Sequence, residues 1–377
     1  MTDEAASSDP LFGGFRIGRT WLRNRIAMSA MTRSFSPGGV PGADVAAYYR
    51  RRAEGGCGLI VTEGTWVPHP AASNNPANPD FFGEAALAGW AGVVSAVHAA
   101  GAAIMPQLWH VGLMHRSAPG GGVEPPEPHH VGPSGISGGS QVPLTKVAPP
   151  MSLADIDAII DAFAVAARSA MELGFDGVEL HGAHGYLLDQ FLWGATNRRE
   201  DRYGGSHRDR GRFIAEIGSE IRRRTAPDFP ILLRYSQWKL QDYGARLADA
   251  PAQLAELLEP IVDAGVDLFD CSQRRFWEPA FAGSDRNLAG WTRHLTGRPT
   301  MTVGSVGLSQ EFIASMAGGS VAVAGLERLM TMFEQGQFDL VAIGRALITD
   351  PMWAEKVRRH HFEALIAFDP SALGTLS

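Results

Sequence analysis

With 377 residues, 45% of them hydrophobic and 19% charged, the chain is long enough to bury a sizeable core. A formal net charge of -7, with only three lysines (Lys146, Lys239 and Lys356), excludes general binding to nucleic acid or a membrane surface, both of which draw on basic patches. The acidic start MTDEAASSDP is no secretion signal, no apolar run approaches the roughly 18 residues of a membrane span, and Cys57 and Cys271 sit in or beside apolar runs as buried thiols, so the chain reads as cytoplasmic.

In chain order, short apolar and β-branched runs alternate with longer amphipathic stretches. RIAMSA (from Arg25) is the first strand candidate, followed by a helix over 44–54; CGLIVTE (Cys57) is the second, followed by a helix over 84–100. After AAIMPQLW (Ala102) comes a long stretch, 111–150, rich in Gly, Pro, Ser and His and without helical period. A helix over 152–173 opens on SLAD, a capping signature ahead of an apolar run. FDGVEL (Phe175), a short helix-compatible run 187–192, a helix over 209–224, PILLRYS (Pro230) and a helix over 251–264 follow. VDLFDCS (Val266) leads into a second long connection, 273–287, then into the weakly helical NLAGWTRHLTG. PTMTVGS (Pro299), a helix over 321–335 and DLVAIG (Asp339) complete eight strands.

Eight strands alternating with helices predict a parallel sheet, and runs apolar on nearly every residue suit strands covered on both faces. The length suits a (β/α)8 TIM barrel: α/β, a single domain over 1–377, barrel core about 20–360, with long insertions after strands three and six. A doubly wound sheet is the runner-up, but no G-x-G-x-x-G follows the first strand. Both insertions leave strand ends, where barrel active sites lie; long connections of this kind are often lids, and a disordered surface loop is the blander reading of the first.

Polar residues collect at those ends: Thr32, Glu63, Gln107, His110, His181, His184, Tyr186 and Arg234. The glycines of VGSVG after strand seven and IGRALITDP after strand eight let backbone N–H groups approach an anion, and Arg345 adds a bidentate phosphate partner. This face therefore suits a phosphorylated ligand, with two histidines across from it. Blander readings stand beside this one. Arg234 pairs with a buried acid such as Glu179, His110 is a satisfied core group, and His181 and His184 are a metal-ligand pair without an evident third ligand. No metal is expected.

The segment HGAHGYLLDQFLWGATNRREDRYGGS resembles the signature of the old yellow enzyme family of flavin-dependent ene-reductases. LRNRIAMSAMTR, GLIVTEGTWV, PQLWHVG, LLRYS, TVGSVG and VAIGRALITDP extend the likeness from about Leu11 to Trp353, in the family's order. The resemblance implies FMN held non-covalently at the barrel mouth. Ala30, Met31 and Thr32 would run along the flavin, Gly64 would lie against its ring, Gln107 and Arg234 would bond its pyrimidine end, and Gly304, Ser305, Gly344 and Arg345 would take its phosphate. It further implies that His181 and His184 bind a substrate carbonyl and that Tyr186 donates a proton. Many relatives have Asn where His184 stands. Phe276 and Trp277 fall in a stretch that departs from the best-known members and are expected to shape the substrate pocket.

The implied reaction is reduction of the activated C=C bond of a small α,β-unsaturated carbonyl compound, with NADH or NADPH as donor. Monomer and homo-oligomer are left open. The same barrel and FMN also suit a redox-neutral isomerisation or the oxidation of a biosynthetic intermediate. A Schiff-base lyase using Lys239 leaves the Gln107, His181, His184 and Tyr186 set unexplained, and a flavin-binding protein without catalysis is a further alternative. Two cysteines are too few for the iron–sulfur cluster of larger relatives.

Overall fold

The structure, a computed structural model, describes residues 10–114, 116–117, 123–124, 129–140, 142–311, 314–315 and 321–377. The eight apolar runs form eight strands: β1 (Ile26–Met28), β2 (Leu59–Trp66), β3 (Ala103–Trp109), β4 (Val178–His184), β5 (Ile231–Lys239), β6 (Leu268–Ser272), β7 (Thr300–Val303) and β8 (Leu340–Ile343). They close into one parallel barrel in sequence order, β8 returning to β1 through Ala342↔Ala27 and Ile343↔Met28. All eight residues of β2 and all seven of β3 are buried, because side chains on one face fill the barrel and those on the other meet the helices.

Two apolar clusters follow from that geometry. Ala27, Leu59, Val61, Met105, Leu232, Leu268, Met301 and Leu340 fill the barrel interior, together with Ile17 and Leu22 from an antiparallel hairpin, Phe15–Ile17 against Thr20–Leu22. A larger cluster lies between the strands and the helix ring.

Helices among the described residues include α1 (Ala43–Glu54), α2 (Glu84–Ala99), α3 (Leu153–Glu172), α4 (Leu187–Leu192), α5 (His207–Arg224), α6 (Pro251–Asp263), α7 (Leu288–Thr296), α8 (Leu326–Glu334), α9 (Ala346–Thr349) and α10 (Trp353–Arg358). Helix α3 starts at the expected capping box, Ser152 Oγ accepting from the Asp155 N–H while Asp155 accepts from the Ser152 N–H. Two expectations shift. The weakly helical NLAGWTRHLTG is a full nine-residue helix, because Asn287 caps it by accepting from the Gly290 N–H and Gly297 ends it in the left-handed region. The helix expected over 321–335 begins only at Leu326. Gly325 sits at φ +81°, and Val321 instead pairs antiparallel with Phe368.

At the C-terminal mouth the β4–β5 register shifts between Gly182 and His184, and the β2–β3 register between Val61 and Gly64. Such bulges re-aim side chains at a barrel rim. The connection after β3 includes a short hairpin, Ile136–Ser137 against Thr145–Lys146; the rest of the expected 111–150 insertion lies partly outside the described residues.

Candidate active site

One cleft of about 330 Å³ opens over the C-terminal strand ends. Its lining brings together twelve of the residues singled out in the sequence: Ala30, Met31, Thr32, Gln107, His181, His184, Tyr186, Arg234, Gly304, Ser305, Gly344 and Arg345. A larger surface hollow of about 720 Å³, between Lys146 and Asp201, contains none of them.

His181, His184 and Tyr186 form one wall. The His181 ring lies 5.3 Å from that of His184 and 4.9 Å from that of Tyr186, each edge to face. Trp109 packs against both the Tyr186 ring at 4.7 Å and the His181 ring at 5.8 Å, and is itself stacked on Trp66 at 4.2 Å. His184 sits at φ +65°, a region costly for a side chain with a Cβ. Its N–H donates to Ser236 Oγ (3.0 Å), its carbonyl accepts from the Leu240 N–H (3.2 Å), and its Nε2 shares a hydrogen with Ser272 Oγ (2.8 Å). Trp238 lies against the ring at 4.6 Å. Burial, helped by the Arg234 charge, holds both imidazoles well below their usual range, so both are neutral near pH 7. His181 Nδ1 is buried without a partner. Burial pushes the Tyr186 phenol up to about 12, keeping its proton on the oxygen.

The cleft floor is polar and fully buried. Gln107 Nε2 donates to Glu179 Oε1 (2.7 Å), which uses one of its two amide hydrogens and leaves the other and the side-chain carbonyl oxygen. Arg234 Nη1 donates to Ser29 Oγ (2.8 Å) and lies 3.5 Å from Asp270 Oδ2, while its Nε is buried and unpartnered. The acid beside Arg234 is therefore Asp270, where the sequence had offered Glu179; the neighbour follows from the Arg234↔Asp270 register of β5 and β6.

The end below β7 and β8 is a cradle. Gly304, at φ +136°, has the Gln273 carbonyl oxygen 2.1 Å from where a Cβ would stand, so only glycine fits. The Arg345 guanidinium donates to Ser315 Oγ and to the Gln310 carbonyl (3.1 Å), and lies 3.5 Å from Ser305 Oγ. Burial lowers it to about 10, which leaves it cationic near pH 7.

Other sequence candidates lie elsewhere. Gly64 is outside the cleft lining; a Cβ there would meet Trp109 Cε3 at 2.4 Å, so its lack of a side chain makes room for the indole. Phe276 is fully buried and Trp277 packs edge-on against it at 5.0 Å, both away from the cleft. Trp238 near the end of β5, and Leu240 and Tyr243 of the loop after it, stand in the lining instead. The signal for them was QWKLQDYG, an aromatic-rich strand exit. His110 is buried and shares a hydrogen with His69 (3.0 Å), and Glu63 accepts from the Arg33 and Ser34 N–H groups (2.8 and 3.0 Å), fixing the turn just after Thr32. Lys239 is wholly buried against Asp189 and the Ser236 and Gln237 carbonyls, which leaves its amine no route to a substrate carbonyl. Among the described residues no group of three or more His, Cys, Asp or Glu could hold a metal.

The orphaned Arg234 Nε and His181 Nδ1, and a cradle that only glycine fits, match a flat polar ring carrying a phosphate. Comparison with known proteins agrees. Residues 10–363 match the FMN oxidoreductase family model described as the NADH:flavin oxidoreductase / NADH oxidase family. The chain is 34% identical over 354 residues to an NADH oxidase of Thermoanaerobacter brockii, covering 92% of this chain and 50% of that protein, so it spans about half that relative's length. It is 33% identical over 368 residues to 12-oxophytodienoate reductase 7 of Oryza sativa subsp. japonica, covering 93% of this chain and 88% of that one. Morphinone reductase in complex with tetrahydroNAD superposes with a TM-score of 0.76 at 28% identity, over 96% of this chain and 93% of that one.

Proposed function

The chain belongs to the NADH:flavin oxidoreductase / NADH oxidase family, the old yellow enzyme family with FMN as its cofactor, and from that premise we propose that it is an ene-reductase. Its substrate would be a small α,β-unsaturated carbonyl compound and its donor NADH or NADPH. The observation that carries the reading is the convergence of two neutral imidazoles and a protonated tyrosine on the cleft that also holds the phosphate cradle.

When bound, FMN supplies the two-electron hydride chemistry. Gly304, Ser305, Gly344 and Arg345 would hold its phosphate, Gln107 and Arg234 its pyrimidine end, and Ala30, Met31 and Thr32 would flank the ring; all of them line the one cleft. His181 and His184 each offer one N–H to the substrate carbonyl oxygen, on which negative charge builds as the β-carbon gains hydride. Donors placed in advance cost no reorganisation at that moment, and removing one costs about 3 kcal/mol in well-studied sites. Tyr186 Oη delivers a proton to the α-carbon. A neutral imidazole suits the first role because it donates without itself losing a proton to the substrate. Trp109, Trp238 and Tyr243 wall the substrate side and keep water from the reacting carbons.

The experiment is steady-state NAD(P)H consumption under nitrogen with and without 2-cyclohexenone, with product analysis. Consumption equimolar with cyclohexanone formed supports the reading. Consumption that requires oxygen and ignores the enone contradicts it.

A further inference from the structure

Glu179 and Asp270 are wholly buried inside the barrel beneath the cleft. They reach each other from two strands apart, β4 and β6, over the intervening Arg234 of β5. Read as two carboxylates, they cannot satisfy one another. Glu179 Oε2 and both Asp270 oxygens then have no donor, since Gln107 donates to Glu179 Oε1 and not to Oε2, and the Arg234–Asp270 separation of 3.5 Å is too long for a hydrogen bond. One proton between the two carboxyls supplies the missing donor. Burial pushes both groups up, and the Asp270 charge raises Glu179 further while the Glu179 contact lowers Asp270, which favours a proton carried by Glu179 toward Asp270. The other charged or titratable groups near the pair are Arg234, His181 two residues along β4 from Glu179, which is neutral, and Cys271 next to Asp270 on β6, whose thiol burial pushes up; Gln107 on β3 carries no charge.

We infer that the Glu179–Asp270 pair shares a single proton, acts as one negative charge against Arg234, and thereby sets how strongly the cleft prefers oxidised over reduced FMN. This rests on the proposed placement of the flavin's pyrimidine end at Gln107 and Arg234. Reduced FMN carries more negative charge than oxidised FMN there, so an Arg234 whose charge is already offset stabilises the reduced form less. Glu179 and Asp270 are positioning residues that act through Arg234 and touch neither cofactor nor substrate.

The pair has a signature that ordinary packing residues lack. Glu179→Gln and Asp270→Asn each remove the shared proton's second site but leave one carboxylate, which ionises against the Arg234 charge with the new amide as a donor. Each single variant should keep the ratio of affinities for reduced and oxidised FMN within about threefold of the wild type, because the charge facing Arg234 is unchanged. The double variant leaves Arg234 unopposed and should raise the preference for reduced FMN roughly tenfold or more, an upward move of about 30 mV for a two-electron couple. Dye-equilibrated potentiometry of the FMN-loaded proteins reads this. A double variant with the wild-type potential, or a single variant carrying the whole shift, overturns the inference.

Infrared spectra of the wild type at neutral pH, with and without FMN, provide a measurement that needs no double variant. A protonated-carboxyl C=O band lost in both single variants is expected. Its absence from the wild type, or its persistence in both singles, overturns the shared proton. Failure of the wild type to bind FMN would contradict the proposed function, and the infrared result on the same chain still decides this inference.

Discussion

Lys239 Nζ lies 2.9 Å from Asp189 Oδ1, and both side chains are entirely shut off from solvent. Asp189 Oδ2 also accepts from the Gly185 N–H (2.6 Å), between His184 and Tyr186, while Lys239 donates to the Ser236 and Gln237 carbonyls. This pair ties the exit of β4 to the exit of β5 and so holds the turn on which two of the three proposed catalytic side chains ride. Burial pulls Lys239 down against the upward pull of the Asp189 charge, and burial raises Asp189 to about 6, which leaves the carboxylate ionised near pH 7.

Asp189→Asn strands a buried ammonium and should destabilise the fold by about 3–5 kcal/mol. Urea unfolding with FMN bound checks this. An unfolding midpoint equal to the wild type would mean that the ammonium finds other compensation.

His184→Asn should fold, because Asn tolerates the left-handed backbone that His184 occupies and still offers an N–H. His181→Ala removes one donor and should lower enone turnover by about 10²–10³. A phenol, whose phenolate resembles the polarised carbonyl oxygen, should give a long-wavelength charge-transfer band with the wild type. The double His181→Ala/His184→Ala variant should lose that band; if it keeps both band and turnover, the carbonyl-binding role is wrong.

Glu63 is buried while accepting from Arg33 and Ser34, and burial raises its carboxyl to about 7 from an ordinary 4.5. The sign follows from proton counting. Between those values the folded chain holds the proton that the unfolded chain has lost, so stability falls as pH rises from about 4.5 to about 7, by about 3 kcal/mol. Glu63→Gln cannot lose a proton and should lose less stability than the wild type between about pH 5 and pH 8. Parallel thermal unfolding profiles for the two proteins would refute this.

Arg345→Ala removes a charge-assisted contact from the proposed phosphate cradle and should weaken FMN binding by about 1.5–3 kcal/mol. Fluorescence titration of the unloaded protein with FMN measures it. Unchanged affinity would place the phosphate elsewhere.

Much of this was legible in the sequence because the relevant physics is local. Apolar runs such as CGLIVTE and DLVAIG become the buried strands β2 and β8, since a strand covered on both faces cannot alternate. SLAD caps α3 with its own side chains. The mouth residues were recoverable because each strand exit in a closed barrel delivers its polar residues to one face. What could not be read depends on register or on space. Asp270 sits in VDLFDCS like any polar interruption, and only the β5–β6 register sets it beside Arg234. Gly64 reads as a ring contact until Trp109 is seen to fill the space it leaves. Phe276 and Trp277 looked like pocket aromatics, but hydrophobicity alone does not say which way a loop turns, and they turn into the outer core. Helix α8 begins late because a backbone angle at Gly325 decides its start.

The most direct measurement of the central claim is anaerobic rapid mixing of the two half-reactions, in the wild type and in Tyr186→Phe. The FMN-loaded wild type should bleach with NAD(P)H and recover its flavin absorbance when mixed with 2-cyclohexenone. Tyr186→Phe keeps the ring packed against Trp109 and His181 and removes only the acid. It should be reduced within a few-fold of the wild-type rate, then reoxidise with the enone about 10²–10⁴ times more slowly. A wild type that is reduced but never reoxidised by an enone, or a Tyr186→Phe variant that reoxidises at the full rate, would contradict the account.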